Sequence, residues 1–400
     1  MAMESTEGDI LSDHNKKNLL ILETIRRNKS ISRTDISKIT KLNIVTVSNY
    51  VADFIDKGLV VEKGLDVSSG GRRPTIVQLN AVYCYAVGVD LGLKNIQVVL
   101  TDLEANIVAK KEAERPQVSA EAVIKILIRL IEEVLEESSI DVKKIRGICV
   151  AASGVIDREA GTVHSTDGTT SVYLPINIML ERKFDVPTLI ENDATSAAYG
   201  EWALGISADV KVALYMYSGV GCGIIINGEV FRGATGIAGE ISLREAFAPK
   251  DFWVGNLSIL GPWALDLGMP DAIRSEVGKG RVTKISEYRQ GDLSKISLED
   301  IFRAAKEDDE LALEALEKAG EALGGRIAYL INILNPEVIV VGGGIEEAGS
   351  ILFDSIKQMV RKWSFDEAAD VVKVVPARFG KDAVGLGAAC LMIRRIFSKG

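Results

Sequence analysis

Residues 32–51 read SRTDISKITKLNIVTVSNYV, a pattern typical of two short amphipathic helices joined by a turn. The first helix can begin at Ser32, because Asp35 in its first turn completes an acidic variant of the capping box. Ile36 and Ile39 would then lie on its inward face. The stretch therefore predicts the two helices of a helix-turn-helix unit.

The second helix of this unit can begin after Asn43, whose side chain is a good helix cap. Thr46, Ser48 and Asn49 would lie on one face near its N-terminus. Short hydroxyl and amide side chains can bond base edges without blocking close approach to the major groove, so we predict that these three residues contact DNA. An ordinary three-helix bundle is the alternative. The opposite, buried face would carry Val47, Val51, Phe54 and Ile55.

The flanking residues extend this unit to a winged helix. Upstream, a helix should begin near Asn15, with an apolar stripe and with a basic run at its C-terminal end, where cations interact favourably with the helix dipole. The stripe consists of Leu19, Leu20, Leu22 and Ile25, and the run of Arg26, Arg27 and Lys29. Downstream, Leu59–Glu62 and Thr75–Leu79 are predicted to form the strands of the wing.

The loop between these two predicted strands carries GGRRP at residues 70–74. Its glycines would let the backbone approach DNA, and Arg72 and Arg73 could reach phosphates or a narrow minor groove. We predict that these two arginines and Arg33 contact DNA. A solvated basic loop is the alternative.

Charge is distributed unevenly along the 400 residues. Residues 15–80 contain twelve Lys and Arg against six Asp and Glu, a net charge of +6, whereas the whole chain carries −9. The remaining residues therefore carry −15. This asymmetry favours DNA binding by the N-terminal segment and argues against nonspecific nucleic-acid binding by the whole chain.

Composition excludes several classes of protein. The apolar runs are shorter than the roughly 20 residues of a membrane helix, and the polar opening does not resemble a signal peptide. We expect a disordered leader at residues 1–14 and a cytoplasmic protein without a membrane partner. The cysteines are far apart and the histidines are His14 and His164, which predicts no disulfide framework or zinc site. Buried free thiols are expected at Cys84, Cys149, Cys222 and Cys390.

After residue 80, predicted strands and helices alternate in two rounds. The first round has strands at 86–90, 96–102, 107–110 and 145–151 and a helix at 120–137. The second has strands at 210–217, 222–226, 229–232 and 338–341 and a helix at 311–334. We therefore expect a duplicated α/β domain with a cleft between its halves, where small ligands usually bind.

A series of motifs resembles one protein family. In the N-terminal segment these are SRTDISKITKLNIVTVSNYV and GGRRP, followed by VGVDLG (87–92), ENDATSAAYGE (191–201), GVGCGIIINGE (219–229), GATGIAGE (233–240), LNPEVIVVGGG (334–344) and AVGLGAA (383–389). In this order and spacing they resemble the ROK family of repressors and sugar kinases, from Asn15 to the C-terminus. The resemblance implies an α/β fold class: a winged helix-turn-helix followed by a duplicated actin-like, ribonuclease H-like fold shared by ATPases and sugar kinases.

The resemblance implies a sugar site around Asp193. In ROK kinases the aspartate at this position is the catalytic base that takes the proton from the sugar hydroxyl, and the amide of Asn192 can bind a hydroxyl as donor and acceptor. Glu240 would accept hydrogen bonds from sugar hydroxyls, and Gly154 belongs to the same predicted site. The alternatives are a helix cap for Asp193 and a surface position for Glu240.

Glycines match the nucleotide-binding motifs of the family. Gly92 belongs to the first phosphate loop, where backbone N–H groups would meet phosphate oxygens. The second phosphate loop and the adenosine-side motif correspond to Gly219, Gly221, Gly223, Gly342 and Gly343. A tight hairpin or a close-packed turn needs glycine as well, so these residues alone do not establish nucleotide binding.

The chain departs from the kinases of the family at both phosphate loops. The first loop, DxGGTK in kinases, reads DLGLKN at 90–95, and the GTG before the second becomes YSG at 217–219. The Gly-His that follows the sugar-binding glutamate is replaced by Ser242 and Leu243. In place of the zinc-binding cysteine cluster stands a stretch that we expect to pack as core, with Phe247, Phe252, Trp253 and Trp263. We therefore predict no zinc, impaired ATP binding and no established cofactor.

These observations predict a sugar-responsive transcriptional regulator, a repressor by resemblance, that acts on double-stranded operator DNA as a dimer or tetramer. Its predicted domains are the winged helix at 15–80, subdomain I at 81–194 and 378–400, and subdomain II at 195–377. One alternative is an ATP-dependent sugar kinase of the glucose or N-acetylglucosamine type that carries an N-terminal DNA-binding domain. The other is a DNA-binding protein that no sugar regulates.

Overall fold

The chain divides into two compact units. The first contains the residues up to Leu204 together with Val384–Gly400, and the second contains Gly205–Ala383. The winged helix therefore belongs to the same unit as the first half of the α/β region. The computed structural model describes residues 11–65, 75–116, 119–158, 160–164, 175–207, 209–218, 220–241 and 266–400.

The N-terminal part of the first unit is a winged helix. It consists of α1 (Asp13–Asn28), β1 (Ile31–Ser32), α2 (Arg33–Thr40), α3 (Ile44–Asp56), β2 (Val60–Leu65) and β3 (Thr75–Leu79), with strand order β1-β3-β2. Both predicted caps are confirmed, because Ser32 accepts a hydrogen bond from the Asp35 N–H and Asn43 accepts one from the Val45 N–H. The strand β1 was not predicted, since two residues are too few to show a periodicity.

Two apolar residues that we predicted to be buried in this domain are exposed. Leu20 is 43% exposed and Ile39 is 54% exposed, whereas Ile21 and Ile36 are fully buried. The buried stripe of α1 runs through Ile21 and so turns away from Leu20, and α2 buries Ile36 rather than Ile39. In addition, α1 begins at Asp13, inside the segment predicted to be a disordered leader.

A five-stranded sheet forms the rest of the first unit. Its elements are β4 (Tyr85–Leu91), β5 (Asn95–Thr101), β6 (Ile107–Glu114), α4 (Ala120–Ser138), β7 (Ile145–Ala152), β8 (Val155–Asp157), β9 (Thr162–His164), α5 (Ile176–Phe184), β10 (Thr188–Asn192) and α6 (Asp193–Leu204). The order is β10-β7-β4-β5-β6; the first three strands are parallel, and β4, β5 and β6 are antiparallel neighbours. Leu127 and Ile131 of α4 belong to the same apolar core as Val87 and Val98 of the sheet.

The second unit repeats this sheet. Its elements are β11 (Val212–Tyr217), β12 (Gly221–Ile226), β13 (Glu229–Val230), α7 (Met269–Gly278), α8 (Lys284–Tyr288), α9 (Leu298–Lys306), α10 (Glu310–Leu334), β14 (Val338–Gly342), α11 (Ser350–Trp363), α12 (Asp366–Val371) and β15 (Lys373–Pro376). The order β13-β12-β11-β14-β15 has the same succession of antiparallel and parallel pairs as the first sheet. The helix α13 (Ala383–Lys399) then carries the chain back to the first unit.

The duplicated α/β architecture predicted from the sequence is confirmed by these two sheets. In each, two successive antiparallel pairs lie on one side of the first strand and two successive parallel pairs on the other. The first unit extends to Leu204 and so includes α6, whereas predicted subdomain I ended at residue 194. Among the described residues, no helix combines the length and the apolar character needed to cross a membrane.

Candidate functional site

The candidate sugar site lies where three parallel strands of the first sheet end. Asp90 lies near the end of β4, Ser153 and Gly154 follow β7, and Asn192 and Asp193 lie where β10 meets α6. These strands are neighbours in the order β10-β7-β4, so their carboxyl ends share one edge of the sheet. Ligands of open α/β sheets bind outside this edge. The fold thus brings the predicted residues Gly154, Asn192 and Asp193 together.

Asp193 is oriented by two hydrogen bonds. Its Oδ2 accepts from the Ser153 hydroxyl at 2.5 Å, and its Oδ1 accepts from the Ala194 N–H at 2.7 Å. Burial raises the pKa of this carboxyl, while the bonds from Ser153 and the backbone oppose the rise. A buried carboxyl with a raised pKa, held in place by hydrogen bonds, can exchange a proton with a sugar hydroxyl or accept a hydrogen bond from it.

Asn192 links the start of α6 to the end of β7. Its Oδ1 accepts from the Thr195 N–H at 3.1 Å, which is the bond of a helix cap. Its Nδ2 donates to the carbonyl of Gly154 at 3.4 Å. The capping bond that we considered for Asp193 is therefore made by Asn192.

Asp90 is a second buried carboxyl at this edge. Burial, together with the charges of Asp193 and Glu112, raises the pKa of Asp90 to about 8. Its Oδ1 has no hydrogen-bond partner among the described residues, and a buried acceptor without a partner costs stability until a ligand or water satisfies it. In the sequence, Asp90 stands out only as the first residue of an altered phosphate loop, and no motif singles out Ser153. The strand-end position that marks Asp193 could have identified both.

The altered first phosphate loop joins β4 to β5. The carbonyl of Gly92 accepts from the guanidinium of Arg115 at 3.0 Å, and the Arg115 N–H donates to the carbonyl of Lys94 at 2.7 Å. Leu93 is 51% exposed. A branched apolar side chain therefore stands on the loop that meets phosphate in kinases, and an arginine is bonded to the backbone of that loop.

Glu240 and the second phosphate loop lie in the second unit. Glu240 follows β13 and is exposed. Gly221 and Gly223 lie within β12, where they pair with residues of β11 in an antiparallel ladder. Gly219 lies outside the described residues. The role of Glu240 in sugar binding stays a prediction of the resemblance.

The adenosine-side glycines are packed closely against side chains. A Cβ at Gly342 would lie 2.0 Å from the hydroxyl oxygen of Tyr215, and a Cβ at Gly343 would lie 2.5 Å from the Oγ of Ser218. Ser218 also donates from its Oγ to the carbonyl of Gly343 at 3.0 Å. Packing alone accounts for glycine at these two positions, which favours a close-packed turn over a nucleotide loop.

The candidate DNA interface is the face of α3 that points away from the core of the winged helix. Asn49 is exposed on this face, whereas Thr46 and Ser48 are half-buried at its sides. Arg33 lies on α2, and its guanidinium pairs with the carboxylate of Glu62 on β2 at 3.0 Å. Outside the described residues lie Arg72 and Arg73.

In the described part of the chain, no group of three or more His, Cys, Asp or Glu side chains is arranged to hold a metal ion. All four cysteines are buried thiols outside any disulfide, as the sequence predicts: Cys84, Cys149, Cys222 and Cys390. The stretch that replaces the zinc-binding cysteines of the family lies outside the described residues and includes Ser242, Leu243, Phe247, Phe252, Trp253 and Trp263. That the chain binds no zinc stays a prediction of the sequence.

Similarity to known proteins covers both parts of the chain. The ROK family model matches residues 86–242 and 272–395, and a winged helix-turn-helix DNA-binding model matches residues 14–61. A xylose repressor of Caldicellulosiruptor bescii is 31% identical over 95% of this chain and 96% of its own length, and a xylose repressor of Bacillus subtilis strain 168 is 29% identical over 94% of each. A crystal structure of a ROK family transcriptional regulator, a homologue of the E. coli MLC protein, covers 96% of both chains at 25% identity with a TM-score of 0.76. The chain therefore belongs to the ROK family, and within it to the transcriptional regulators that carry an N-terminal winged helix-turn-helix.

Proposed function

We propose that this chain is a repressor that binds operator DNA through its winged helix and releases it when a sugar binds at the carboxyl edge of β4, β7 and β10. The observation that carries the proposal is the position of α6. This helix begins at Asp193, in the candidate sugar site, and its C-terminal end contacts α1 of the winged helix. One helix therefore touches both the site for the effector and the domain that binds DNA.

Two arginines of α1 make the contact with α6. Arg26 donates to the carbonyl of Ala203 at 3.1 Å, and Arg27 donates to the carbonyl of Trp202 at 2.9 Å. The guanidinium of Arg27 also lies 4.2 Å from the ring centre of Trp202. Cations suit this end of α6, because its last carbonyls form the negative end of the helix dipole.

Arg26 anchors this contact in the protein interior. It is 4% exposed, and its Nε and Nη2 donate to Oε2 of Glu23 at 3.1 and 2.6 Å. Burial opposes the charge of Arg26, but the Glu23 carboxylate outweighs it and raises the pKa of the guanidinium. A displacement of α6 would therefore move α1 with it or break charge-assisted hydrogen bonds.

The length of α6 suits it to transmit such a displacement. It has 12 residues, which span about 18 Å at the rise of an α-helix. Sugar hydroxyls bonded to Asp193 or Asn192 would act on its first turn, and the helix would carry the shift to Trp202 and Ala203. The sugar changes DNA affinity to the extent that it favours one position of the helix over the other.

We propose an aldopentose of the xylose type as the effector. The two relatives described above are both named xylose repressors. Asn192 and Asp193 offer amide and carboxyl groups to its hydroxyls. We also propose that neither zinc nor ATP takes part, which agrees with the altered phosphate loops and with the packing of Gly342 and Gly343.

The proposal includes an oligomer that acts in the cytoplasm, where the DNA is. A symmetric dimer or tetramer would place paired winged helices on half-sites one or more turns of DNA apart. A movement of α1 in each copy would then cost contacts at both half-sites, so a small shift would have a large effect on binding.

Operator selection followed by sugar competition tests the proposal. Full-length protein would recover fragments from the genome of its source, and the recovered fragment would be titrated with and without xylose, glucose or N-acetylglucosamine. We expect xylose to weaken binding about tenfold or more. Asp193→Asn should lose this response and keep DNA binding, whereas the control Asp185→Asn, at an exposed aspartate of the same unit, should respond like the wild type.

Two outcomes would count against the proposal. Operator binding that no sugar changes would remove the effector role and leave a DNA-binding protein that no sugar regulates. Turnover of ATP with a sugar, abolished by Asp193→Asn, would establish the kinase alternative instead.

A further inference from the structure

The outward face of α3 is apolar at its N-terminal end. Val45 is 63% exposed and Ile44 is 42% exposed, whereas Val47 and Val51 on the opposite face are fully buried. Asn49 is also exposed and lies one helical turn after Val45, so these two side chains are neighbours on the outward face. The polar base contacts predicted from the sequence do not explain why a valine is exposed on the candidate DNA-binding face.

The charges of α3 decide which end of this face can enter the major groove. Asp53 and Asp56 are exposed in its C-terminal half, and Asp53 pairs with Lys57 at 2.9 Å. These carboxylates would repel phosphates, whereas the first turn of α3 has no acidic residue and carries the positive end of the helix dipole. The half with Val45 and Asn49 is therefore the part that fits between the phosphate backbones.

These two side chains match the groups that an A·T pair presents in the major groove. Thymine carries a C5-methyl group that an apolar side chain can contact, and adenine presents N6 and N7 to a side-chain amide. Val45 offers methyl groups and Asn49 offers the amide. One helical turn rises about 5 to 6 Å, compared with about 3.4 Å for a base step, so the two side chains reach base pairs that are adjacent or nearly so.

We infer that Val45 contacts a thymine methyl group and that Asn49 bonds a nearby adenine, so that α3 selects an A·T-rich half-site. This inference rests on the operator binding proposed above. If Val45 instead stayed in solvent or met another protein chain, its effect on DNA binding would not depend on any thymine methyl group.

Base analogues test the contact directly. In the operator recovered with the full-length protein, deoxyuridine would replace each thymine in turn, which removes the methyl group and nothing else. At one position in each half-site we expect the wild-type affinity to fall about fourfold, as for one methyl group returned to water. At that position Val45→Ala, which binds more weakly throughout, should show no further loss. Val82→Ala, at a valine 55% exposed outside the winged helix, should behave like the wild type.

A second set of analogues tests the amide. In 7-deazaadenine the N7 acceptor is absent, so this base should weaken the wild type but not Asn49→Ala at one position near the sensitive thymine. Unchanged melting temperatures would show that the variants are folded. If the losses from Val45→Ala and deoxyuridine add at every position, the inference is wrong although operator binding stands. If the wild type selects no fragment, both the inference and the proposed function fail.

Discussion

The two five-stranded sheets have the same strand order, but the edges at which their parallel strands end differ in chemistry. In the first sheet this edge carries Asp90 and Asp193, and Asp90 keeps an oxygen without a partner among the described residues. In the second sheet β11 and β14 lead to Ser218 and Gly342, and the Ser218 N–H donates to the Gly342 carbonyl at 2.9 Å. The first edge keeps a buried carboxyl oxygen that a ligand can satisfy, whereas at the second edge the backbone groups of Ser218 and Gly342 are bonded to each other. A duplicated topology thus fixes where a site can form but not whether the site is kept.

The largest expected effect tests how tightly the second edge is packed. In Gly342→Ala the new Cβ would meet the hydroxyl oxygen of Tyr215 at 2.0 Å and its Cζ at 2.6 Å. We expect the free energy of unfolding, measured by urea denaturation, to fall by about 3 kcal/mol, as in strongly overpacked cores. The control Gly278→Ala, where no atom lies within 4 Å, should stay within about 1 kcal/mol of the wild type. A fully stable Gly342→Ala would mean that this edge has spare room, as a nucleotide site requires.

The next effect comes from the buried carboxyl of the first edge. Because burial and Asp193 raise the pKa of Asp90 to about 8, the folded protein holds a proton that the unfolded chain releases above a pH of about 4. The folded state therefore loses stability as the pH rises from about 4 to about 8, by up to about 1.4 kcal/mol per pH unit. Asp90→Asn abolishes this titration, so its stability relative to the wild type should increase by about 2 kcal/mol between pH of about 5 and about 7.

Urea denaturation across this pH range measures the difference between Asp90→Asn and the wild type. Asp185→Asn removes a carboxyl that is exposed, so its stability should follow the wild-type pH dependence. Parallel curves for Asp90→Asn and the wild type would show that Asp90 is ionised and hydrated. The contrast between the two sheet edges would then lose its electrostatic basis.

Local signals in the sequence predict much of the fold. The capping residues Ser32 and Asn43 located α2 and α3, and the apolar run before Gly342 located β14, because caps and strand runs act over a few neighbouring residues. The exposure of Ile39 was missed, since it depends on where α2 ends relative to the rest of the domain.

The candidate site was less predictable than the fold. Asp193 came from the resemblance to a family, whereas Asp90 and Ser153 become neighbours of it through the strand order β10-β7-β4, which no single segment encodes. The hydrogen bond from Arg26 to the carbonyl of Ala203 joins residues 177 positions apart, so no local sequence pattern predicts it. Contacts of this kind carry the proposed link between sugar and DNA, and they emerge only when the chain is folded.

The smallest expected effect tests how the first edge communicates with the winged helix. Arg27→Met would keep an apolar stem near the Trp202 ring but remove the donor that bonds its carbonyl at 2.9 Å. If α6 carries the signal, the variant should still bind sugar and DNA, yet the ratio of the DNA dissociation constants with and without xylose should fall about threefold. Loss of a positive charge weakens DNA binding equally with and without xylose. The control Lys16→Met, at an exposed lysine of the same helix, measures this effect of charge alone. If the ratio of dissociation constants is the same in Arg27→Met and Lys16→Met, the bond from Arg27 to Trp202 does not couple sugar binding to DNA binding. Sugar bound at the polar edge of the first sheet would then change DNA affinity through other contacts.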